Sequence, residues 1–147
     1  TGARSPIQWD AAEPNYGFSG ASADSLYIPQ DAGDDAPTVA AQMASDSSLW
    51  REVQRLIALR RSTPALGVNA SVDFVYCEKN AYPLVYLRSV REEGGQRVLV
   101  ALNPAAREVE VPCDFEAAHV LYALGDEAKL AGGMLRVPAA SVTFFEL

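Results

Sequence analysis

Basic residues, histidine and cysteine are scarce in this sequence. Its 147 residues hold 12 Lys and Arg against 19 Asp and Glu, a formal net charge of −7, with one His and two Cys. Because an acidic surface repels phosphate backbones, nucleic acid is not expected as a partner. Cys77 and Cys113 lack the close spacing of metal or redox ligands, so both are expected to be buried apolar thiols, although a disulfide between them stays open.

Long apolar runs are missing as well. No segment approaches the roughly 20 apolar residues that cross a bilayer, so a membrane is not expected as a partner. No basic stretch is followed by an apolar one in the manner of an export signal. Together with the few cysteines, this favours the cytoplasm. The hydrophobic fraction of 49% is nevertheless that of a globular protein with a core.

Residue patterns typical of catalytic or metal sites are also few. His119 has no nucleophile near it in sequence and is expected to be an ordinary surface or core histidine. No G-x-S-x-G elbow supports a hydrolase triad. The acidic stretch Asp31–Asp35 lacks the alternating ligands of an EF-hand, which favours a solvated loop. Asn103, which precedes a proline, is expected to close its strand in a turn.

The residue composition and the spacing of apolar residues change along the chain. Residues 1–36 are rich in Gly, Pro, Asn, Asp and Ser, and are predicted to be irregular. Pro37 is predicted to open a short helix, and Ser45 and Asp46 are candidate N-caps of a longer one. The longer helix has an apolar face with the spacing i, i+4, i+7, i+8, widened by a Trp. This face consists of Leu49, Trp50, Val53, Leu56 and Ile57.

The last part of the chain has the pattern of short strands and turns. Apolar stretches at 83–90 and 97–103 flank a turn that contains two glycines, which predicts a β-hairpin. Residues 107–111 alternate like a half-buried strand. Further strands are predicted at 119–124, 134–137 and 141–147. The predicted fold is mainly β, an antiparallel sandwich or barrel preceded by an irregular loop and one long helix.

One stretch near the start, Arg4–Asp10 (R-S-P-I-Q-W-D), combines residue types that either order a loop or bind a ligand. In one interpretation, Trp9 is a hydrophobic anchor, Pro6 stiffens the turn and Arg4 pairs with a carboxylate. In the other, Arg4 holds a ligand hydroxyl and Trp9 orders the loop. Composition alone does not separate the two interpretations.

Read with the segments after it, this loop resembles a known family. It is followed by N-Y-G-F-S, L-Y-I-P, P-T-V-A-A-Q and the helix ending L-I-A-L-R-R-S-T-P-A-L. The order and spacing are similar to the late part of the α-glucosidase and oligo-1,6-glucosidase branch of glycoside hydrolase family 13. The usual Thr and Met of that loop are Ser5 and Ile7 here. The stretch R-V-L-V-A-L-N resembles the C-terminal sandwich of the same enzymes.

The resemblance implies a (β/α)8 barrel followed by a Greek-key β-sandwich, the domain C of the α-amylase family. A barrel needs about 250 residues. Residues 1–67 are therefore expected to be a remnant of it, namely the loop after the eighth strand and the eighth helix. Residues 68–147 are expected to be domain C.

The resemblance also implies site residues. No catalytic carboxylate, metal ligand or cofactor is expected in this chain, because the family's catalytic motifs do not occur in it. Arg4 is expected to bind the terminal glucose of an α-glucoside substrate through the missing barrel. Its loop is expected to be supported by Gln8, Trp9 and Asp10.

The function implied is that of a part, non-catalytic by itself, of a glycosidase that hydrolyses short α-glucosides of the maltodextrin, isomaltose or sucrose class with retention. One alternative is a part of a trehalose- or sucrose-converting transglycosylase of the same family. Another is a stand-alone carbohydrate-binding β-sandwich, which needs exposed aromatics. Alternation instead favours core positions for the candidates Tyr76, Tyr82, Tyr86, Tyr122, Phe144 and Phe145.

The apolar helix face raises the question of a partner. An isolated helix of this length is marginal without packing, and exposed apolar patches promote association. The face formed by Leu49, Trp50, Val53, Leu56 and Ile57 is expected to pack partly on domain C and partly on the missing barrel. In its absence, a dimer or a crystal contact is expected to cover the face.

Overall fold

A computed structural model describes residues 4–31, 33 and 35–147 of the chain. The chain divides into two compact units, Thr1–Ala58 and Leu59–Leu147, and the boundary lies within the second α-helix. Ala32 and Asp34 of the predicted acidic loop lie outside the described residues. No helix in the described part of the chain is long and apolar enough to cross a bilayer.

Two α-helices follow the irregular segment, α1 at Val39–Ala44 and α2 at Leu49–Ser62. Before α1 the chain forms only short 3₁₀ turns at Pro14–Gly17 and Ala23–Ser25. Thr38 caps α1, because its hydroxyl accepts a hydrogen bond from the amide of Ala41 at 3.2 Å. The predicted helices are thus present, and the short one begins after Pro37 rather than at it.

The predicted caps of α2, Ser45 and Asp46, are wrong. Ser48 has that role, since its hydroxyl accepts from the amide of Arg51 at 3.3 Å. The same hydroxyl donates to the carbonyl oxygen of Gln42 at 2.6 Å, near the end of α1. One buried side chain therefore starts the second helix and ties it to the first.

Eight antiparallel strands form the two sheets of the second unit. They are β1 Ser71–Tyr76, β2 Leu84–Ser89, β3 Arg97–Asn103, β4 Val109–Pro112, β5 His119–Leu124, β6 Lys129–Ala131, β7 Met134–Val137 and β8 Ser141–Glu146. A five-stranded sheet has the order β1-β2-β3-β8-β5, and a three-stranded sheet has the order β4-β7-β6. The hairpin β2–β3 pairs Leu84 with Leu102 through Ser89 with Arg97. The predicted antiparallel β-sandwich is confirmed.

The core of this unit contains apolar side chains from both sheets. Its buried members are Val85, Leu99, Ala101, Val111, Cys113, Ala128, Leu135, Val137 and Phe145. Alternate residues of β3, Val98 and Val100, form a second buried cluster with Ala65. Both faces of β3 are therefore buried, which explains its continuous apolar sequence.

The two cysteines occupy different environments. Cys113 is buried in the core, and burial raises the pKa of its thiol, which favours the neutral form. Cys77 is exposed just beyond the end of β1, so the expectation that both thiols are buried is wrong for this residue. Both cysteines are free, and no disulfide joins them.

A chain of hydrogen bonds fastens the turn after α2 to the five-stranded sheet. The amide of Ala65 donates to Gln96 Oε1 at 3.2 Å, and Arg88 Nε donates to the Ala65 carbonyl oxygen at 3.1 Å. Gln96 Nε2 in turn donates to Glu146 Oε1 at 2.6 Å. His119 Nε2 lies 3.2 Å from the other Glu146 oxygen. His119 therefore belongs to a structural network between neighbouring strands, as the prediction of an ordinary histidine implies.

Candidate functional site

The Arg4–Asp10 loop is a surface feature of the first unit. Arg4 is exposed at its start, and the side chains of Ser5, Ile7 and Trp9 are exposed along it. Gln8 and Asp10 are partly buried. Because Trp9 is about half exposed (48%), hydrophobic burial of this ring does not order the loop in this chain.

Backbone hydrogen bonds order the loop instead. The first set joins it to the turn formed by residues 15–17 (N-Y-G). The amides of Trp9 and Asp10 both donate to the carbonyl oxygen of Tyr16, at 2.9 and 3.1 Å. Asn15, Tyr16 and Gly17 have positive φ of 48°, 52° and 71°, a conformation that costs energy for the two residues with side chains.

The Asn15 side chain offsets part of this cost. Its Nδ2 donates to the carbonyl oxygens of Ser19 at 2.8 Å and Ala21 at 2.7 Å. The Asn15 carbonyl oxygen accepts a further bond from Gln30 Nε2 at 2.9 Å. These bonds hold the left-handed turn in place, so the Tyr16 carbonyl stays directed at the loop.

The second set of bonds comes from helix α1. Amides in the first turn of a helix have no partner within the helix. Here the amide of Val39 donates to the Gln8 carbonyl oxygen, and that of Ala40 to the Trp9 carbonyl oxygen, each at 2.9 Å. The loop is thus fixed on both sides, and each of Gln8, Trp9 and Asp10 takes part through its backbone. Their supporting role in a larger enzyme stays a prediction.

An apolar groove lies between this loop and the helices of the first unit. We call it the loop–helix groove; it has a volume of about 580 Å³ and includes Ile7, Gln8, Val39, Leu49, Trp50 and Val53 in its lining. No charged residue lines it among the described residues. The groove therefore offers no charged partner to an ion, and neutral polar residues, Ser5, Gln8, Thr38 and Gln42, interrupt its apolar lining.

Gln42 and Arg51, which the sequence analysis does not identify, hold the groove walls together. Gln42 Oε1 accepts from the amide of Trp50 at 3.1 Å, and Arg51 Nη2 donates to the Met43 carbonyl oxygen at 2.8 Å. The Arg51 guanidinium also lies 4.9 Å from the centroid of the Trp50 ring. The sequence did contain a signal for Ser48 as the N-cap of α2, because this residue directly precedes the first apolar residue of the α2 face.

The aromatic residues of the sandwich are mostly internal. Phe145 is buried in the core, and Tyr76, Tyr86 and Phe144 pack against the two buried clusters. Tyr122 meets Phe144 edge to face at 5.6 Å between ring centroids. Among the six candidates, Tyr82 alone is exposed, and its placement does not follow the expected core pattern. Phe74, which was not a candidate, is also exposed.

Comparisons with known proteins find relatives in sequence and in fold. No family model matches the sequence. The trehalose synthase/amylase TreS of Mycobacterium tuberculosis is 36% identical over 106 residues, which is 69% of this chain and 17% of that protein. The trehalulose synthase MutB from Pseudomonas mesoacidophila MX-45 has a TM-score of 0.80 and 23% identity over 98% of this chain. An isomaltulose synthase from Erwinia rhapontici NX5 has a TM-score of 0.77 and 19% identity over 96% of it.

This chain spans only a part of each of these proteins, 25% of the trehalulose synthase and 24% of the isomaltulose synthase. The structural likeness shows that the fold is shared. Together with the sequence match, it supports the coarser part of the resemblance, a C-terminal region of a glycoside hydrolase family 13 enzyme. It does not specify the α-glucosidase branch within that family.

Proposed function

We propose that this chain is the end of the catalytic barrel together with domain C of a family 13 enzyme that hydrolyses short α-glucosides of the maltodextrin, isomaltose or sucrose class. The observation that supports this most is the Arg4–Asp10 loop, whose backbone is hydrogen-bonded on both sides while Arg4 is exposed at its start. In this proposal residues 1–67 belong to the barrel, and residues 68–147 form domain C.

The chemistry of the proposed enzyme is divided between this chain and the rest of the protein. Retaining hydrolysis needs two carboxyl groups about 5 Å apart on either side of the scissile bond. We assign these groups to the rest of the enzyme. Arg4 contributes a planar guanidinium with five N–H donors, which suits a sugar hydroxyl and a neighbouring carboxylate at the same time. Gln8, Trp9 and Asp10 keep the loop that carries Arg4 in place.

A second candidate function is transglycosylation rather than hydrolysis. The names of the relatives favour it. They are a trehalose synthase/amylase, a trehalulose synthase and an isomaltulose synthase, the last solved with its natural substrate sucrose. Product analysis of the complete enzyme with maltose and with sucrose distinguishes the two. Free glucose as the main product supports hydrolysis, whereas an isomeric disaccharide with little glucose supports transfer.

The role of Arg4 predicts a loss of activity in the complete enzyme. Arg4→Ala is expected to lower kcat/KM for its disaccharide substrate roughly 30-fold, because one charge-assisted hydrogen bond contributes about 2 kcal/mol. Arg4→Lys is expected to recover only part of this loss, since an ammonium lacks the planar fork. Arg91→Ala, at an exposed arginine beyond β2, is the control. Equal activity of the Arg4→Ala and Arg91→Ala enzymes would remove Arg4 from the site.

The chain alone is expected to be inactive and not to bind sugar. Incubated with a chromogenic α-glucoside it should release no product, because both catalytic carboxyl groups lie elsewhere in the proposal. Titration with maltooligosaccharides in a calorimeter should give no saturable signal, since most sandwich aromatics are internal. Authentic turnover would overturn the proposed division of the enzyme. Saturable binding would instead favour the stand-alone carbohydrate-binding sandwich.

A further inference from the structure

Another cavity of the first unit lies where the chain leaves the Arg4–Asp10 loop. We call it the turn pocket; it has a volume of about 370 Å³, and its lining includes Ala11, Glu13, Tyr16 and Gln30. This volume is within the roughly 300–1,000 Å³ that is typical of small-molecule sites. The proposed contact of Arg4 with a glucose does not involve this pocket.

The polar side chains at the turn pocket offer hydrogen-bond acceptors that the chain itself does not use. Gln30 Nε2 donates to the Asn15 carbonyl oxygen at 2.9 Å, which fixes the orientation of the amide. The other end of this amide, Oε1, is shielded from solvent, and no group in the described part of the chain donates to it. A buried acceptor without a donor is unfavourable. A hydroxyl group in the pocket that Gln30 lines is well placed to supply that donor.

Glu13 is the second such acceptor. It directly precedes the 3₁₀ turn at Pro14–Gly17, but its side chain does not cap that turn. Its side chain is exposed, and no cation pairs with its carboxylate among residues 4–31, 33 and 35–147. Both oxygens of this carboxylate are therefore available to a ligand that donates hydrogen bonds.

The wall of the pocket is fixed by hydrogen bonds within the first unit. Asn15 Nδ2 donates to the carbonyl oxygens of Ser19 and Ala21, which holds the left-handed turn. The Tyr16 carbonyl oxygen in turn accepts from two amides of the Arg4–Asp10 loop. A pocket of this kind loses little conformational freedom on binding. The same bonds connect it directly to the loop that carries Arg4.

The lining favours a neutral ligand that is rich in hydroxyl groups. No basic residue lines the pocket within the described ranges, so an anion finds no partner there. A single carboxylate provides too few oxygen ligands for a hard cation. Hydroxyl donors satisfy Glu13 and Gln30, while Ala23, Leu26 and Pro29 provide apolar contacts for C–H groups. A sugar ring combines both kinds of group.

We propose that the turn pocket binds the sugar that follows the terminal glucose of the substrate, with Glu13 and Gln30 Oε1 as acceptors for its hydroxyl groups. This inference rests on the proposed function, which places the terminal glucose at Arg4. Arg4 lies at one end of the loop, and the pocket lies at the other. The chain thus contributes to recognition of two successive sugars.

Ala11→Phe in the complete enzyme tests this proposal, because it introduces a large ring at the pocket wall. With the disaccharide substrate, KM is expected to rise roughly tenfold at nearly constant kcat, since bonds to the second sugar act in the ground state and the transition state alike. With α-glucosyl fluoride, whose leaving group is fluoride, both constants are expected to stay within about twofold of the wild type. Ala12→Phe is the matched control, because this exposed neighbour does not line the pocket.

Glu13→Ala provides a second test that does not add bulk to the loop. Its side chain is exposed, and the backbone bonds of the loop do not depend on it. The KM for the disaccharide is expected to rise about threefold, with no change for α-glucosyl fluoride, because one hydrogen bond to the second sugar is lost. Glu116→Ala, at an exposed carboxylate of the second unit, is the control. The complete enzyme is required, since these few bonds are too weak to give a calorimetric signal in the isolated chain.

A rise in KM confined to the disaccharide, in both Ala11→Phe and Glu13→Ala, supports the proposal. Equal losses with the disaccharide and with α-glucosyl fluoride would show that the pocket only supports the loop, and would refute it. Equal effects of Ala11→Phe and Ala12→Phe would refute it too. Failure of the proposed function gives a different result, because the wild-type enzyme would then convert neither substrate, and this inference would fall with it.

Discussion

Replacing Asn103 by Asp is expected to lower the free energy of unfolding of the sandwich by about 4 kcal/mol or to prevent its folding. Asn103 is fully buried at the end of β3. Its Nδ2 group donates to the carbonyl oxygens of Arg107 at 2.8 Å, Val137 at 3.1 Å and Pro138 at 2.8 Å, and its Oδ1 accepts from the amide of Ala105 at 3.1 Å. One side chain thus joins the end of the five-stranded sheet to the end of β7 in the other sheet.

The substitution changes little in size but removes both N–H donors. The carbonyl oxygens that they served would be left without a donor beside a buried negative charge. Asn69→Asp is the control, because the same chemical change occurs at an exposed turn residue. Denaturant unfolding followed by circular dichroism measures the difference. A loss below about 1 kcal/mol for Asn103→Asp would mean that these bonds do not hold the two sheets together.

Leu99→Ala is expected to cost about 3–4 kcal/mol of unfolding free energy. Leu99 is fully buried in β3, where it pairs with Leu87 on one side and Phe145 on the other. Removing the Cγ methine and two methyl carbons there loses transfer free energy and leaves a cavity in a close-packed region.

The matched substitution Leu49→Ala is expected to cost less than about 1 kcal/mol in the isolated chain. Leu49 is mostly exposed on α2, so the same truncation removes little buried surface. Thermal and denaturant unfolding of both variants test the contrast. A Leu49→Ala loss as large as that of Leu99→Ala would show that the helix face is already buried in the isolated chain.

The elements that could be predicted from the sequence are those with a strong local signal. The α2 helix has a four-residue apolar repeat, and the β2–β3 hairpin has two apolar runs around a glycine-containing turn. The strand β6, only three residues long, carries too few residues for a period to be visible. The N-cap of α2 was misplaced because several Ser and Asp residues compete for it, and the bond from Ser48 to Gln42 decides among them.

In the candidate site, too, the features with a local sequence signal were predictable and those that depend on distant contacts were not. The residue types in Arg4–Asp10 were sufficient to mark the loop, whereas the sugar-binding role of Arg4 comes from the family resemblance and stays a prediction. The position of the Tyr16 carbonyl was not predictable, because it depends on left-handed backbone at Asn15 and Tyr16, which side chains ordinarily disfavour. The exposure of Trp9 was likewise unpredictable, since burial depends on which surfaces meet in space rather than on residue type.

The amino-acid sequence was enough to predict the fold class, the long helix, the strands with clear alternation and the loop that resembles family 13. These follow from periodicity and local backbone preference, which act over a few residues. Four features became visible only in the folded chain: Asn103 joins the two sheets, Ser48 links the helices, Cys77 is exposed, and the first unit has no buried apolar side chain among its described residues. Each of these depends on contacts between segments distant in the chain or on the burial of side chains, and no local pattern specifies such contacts.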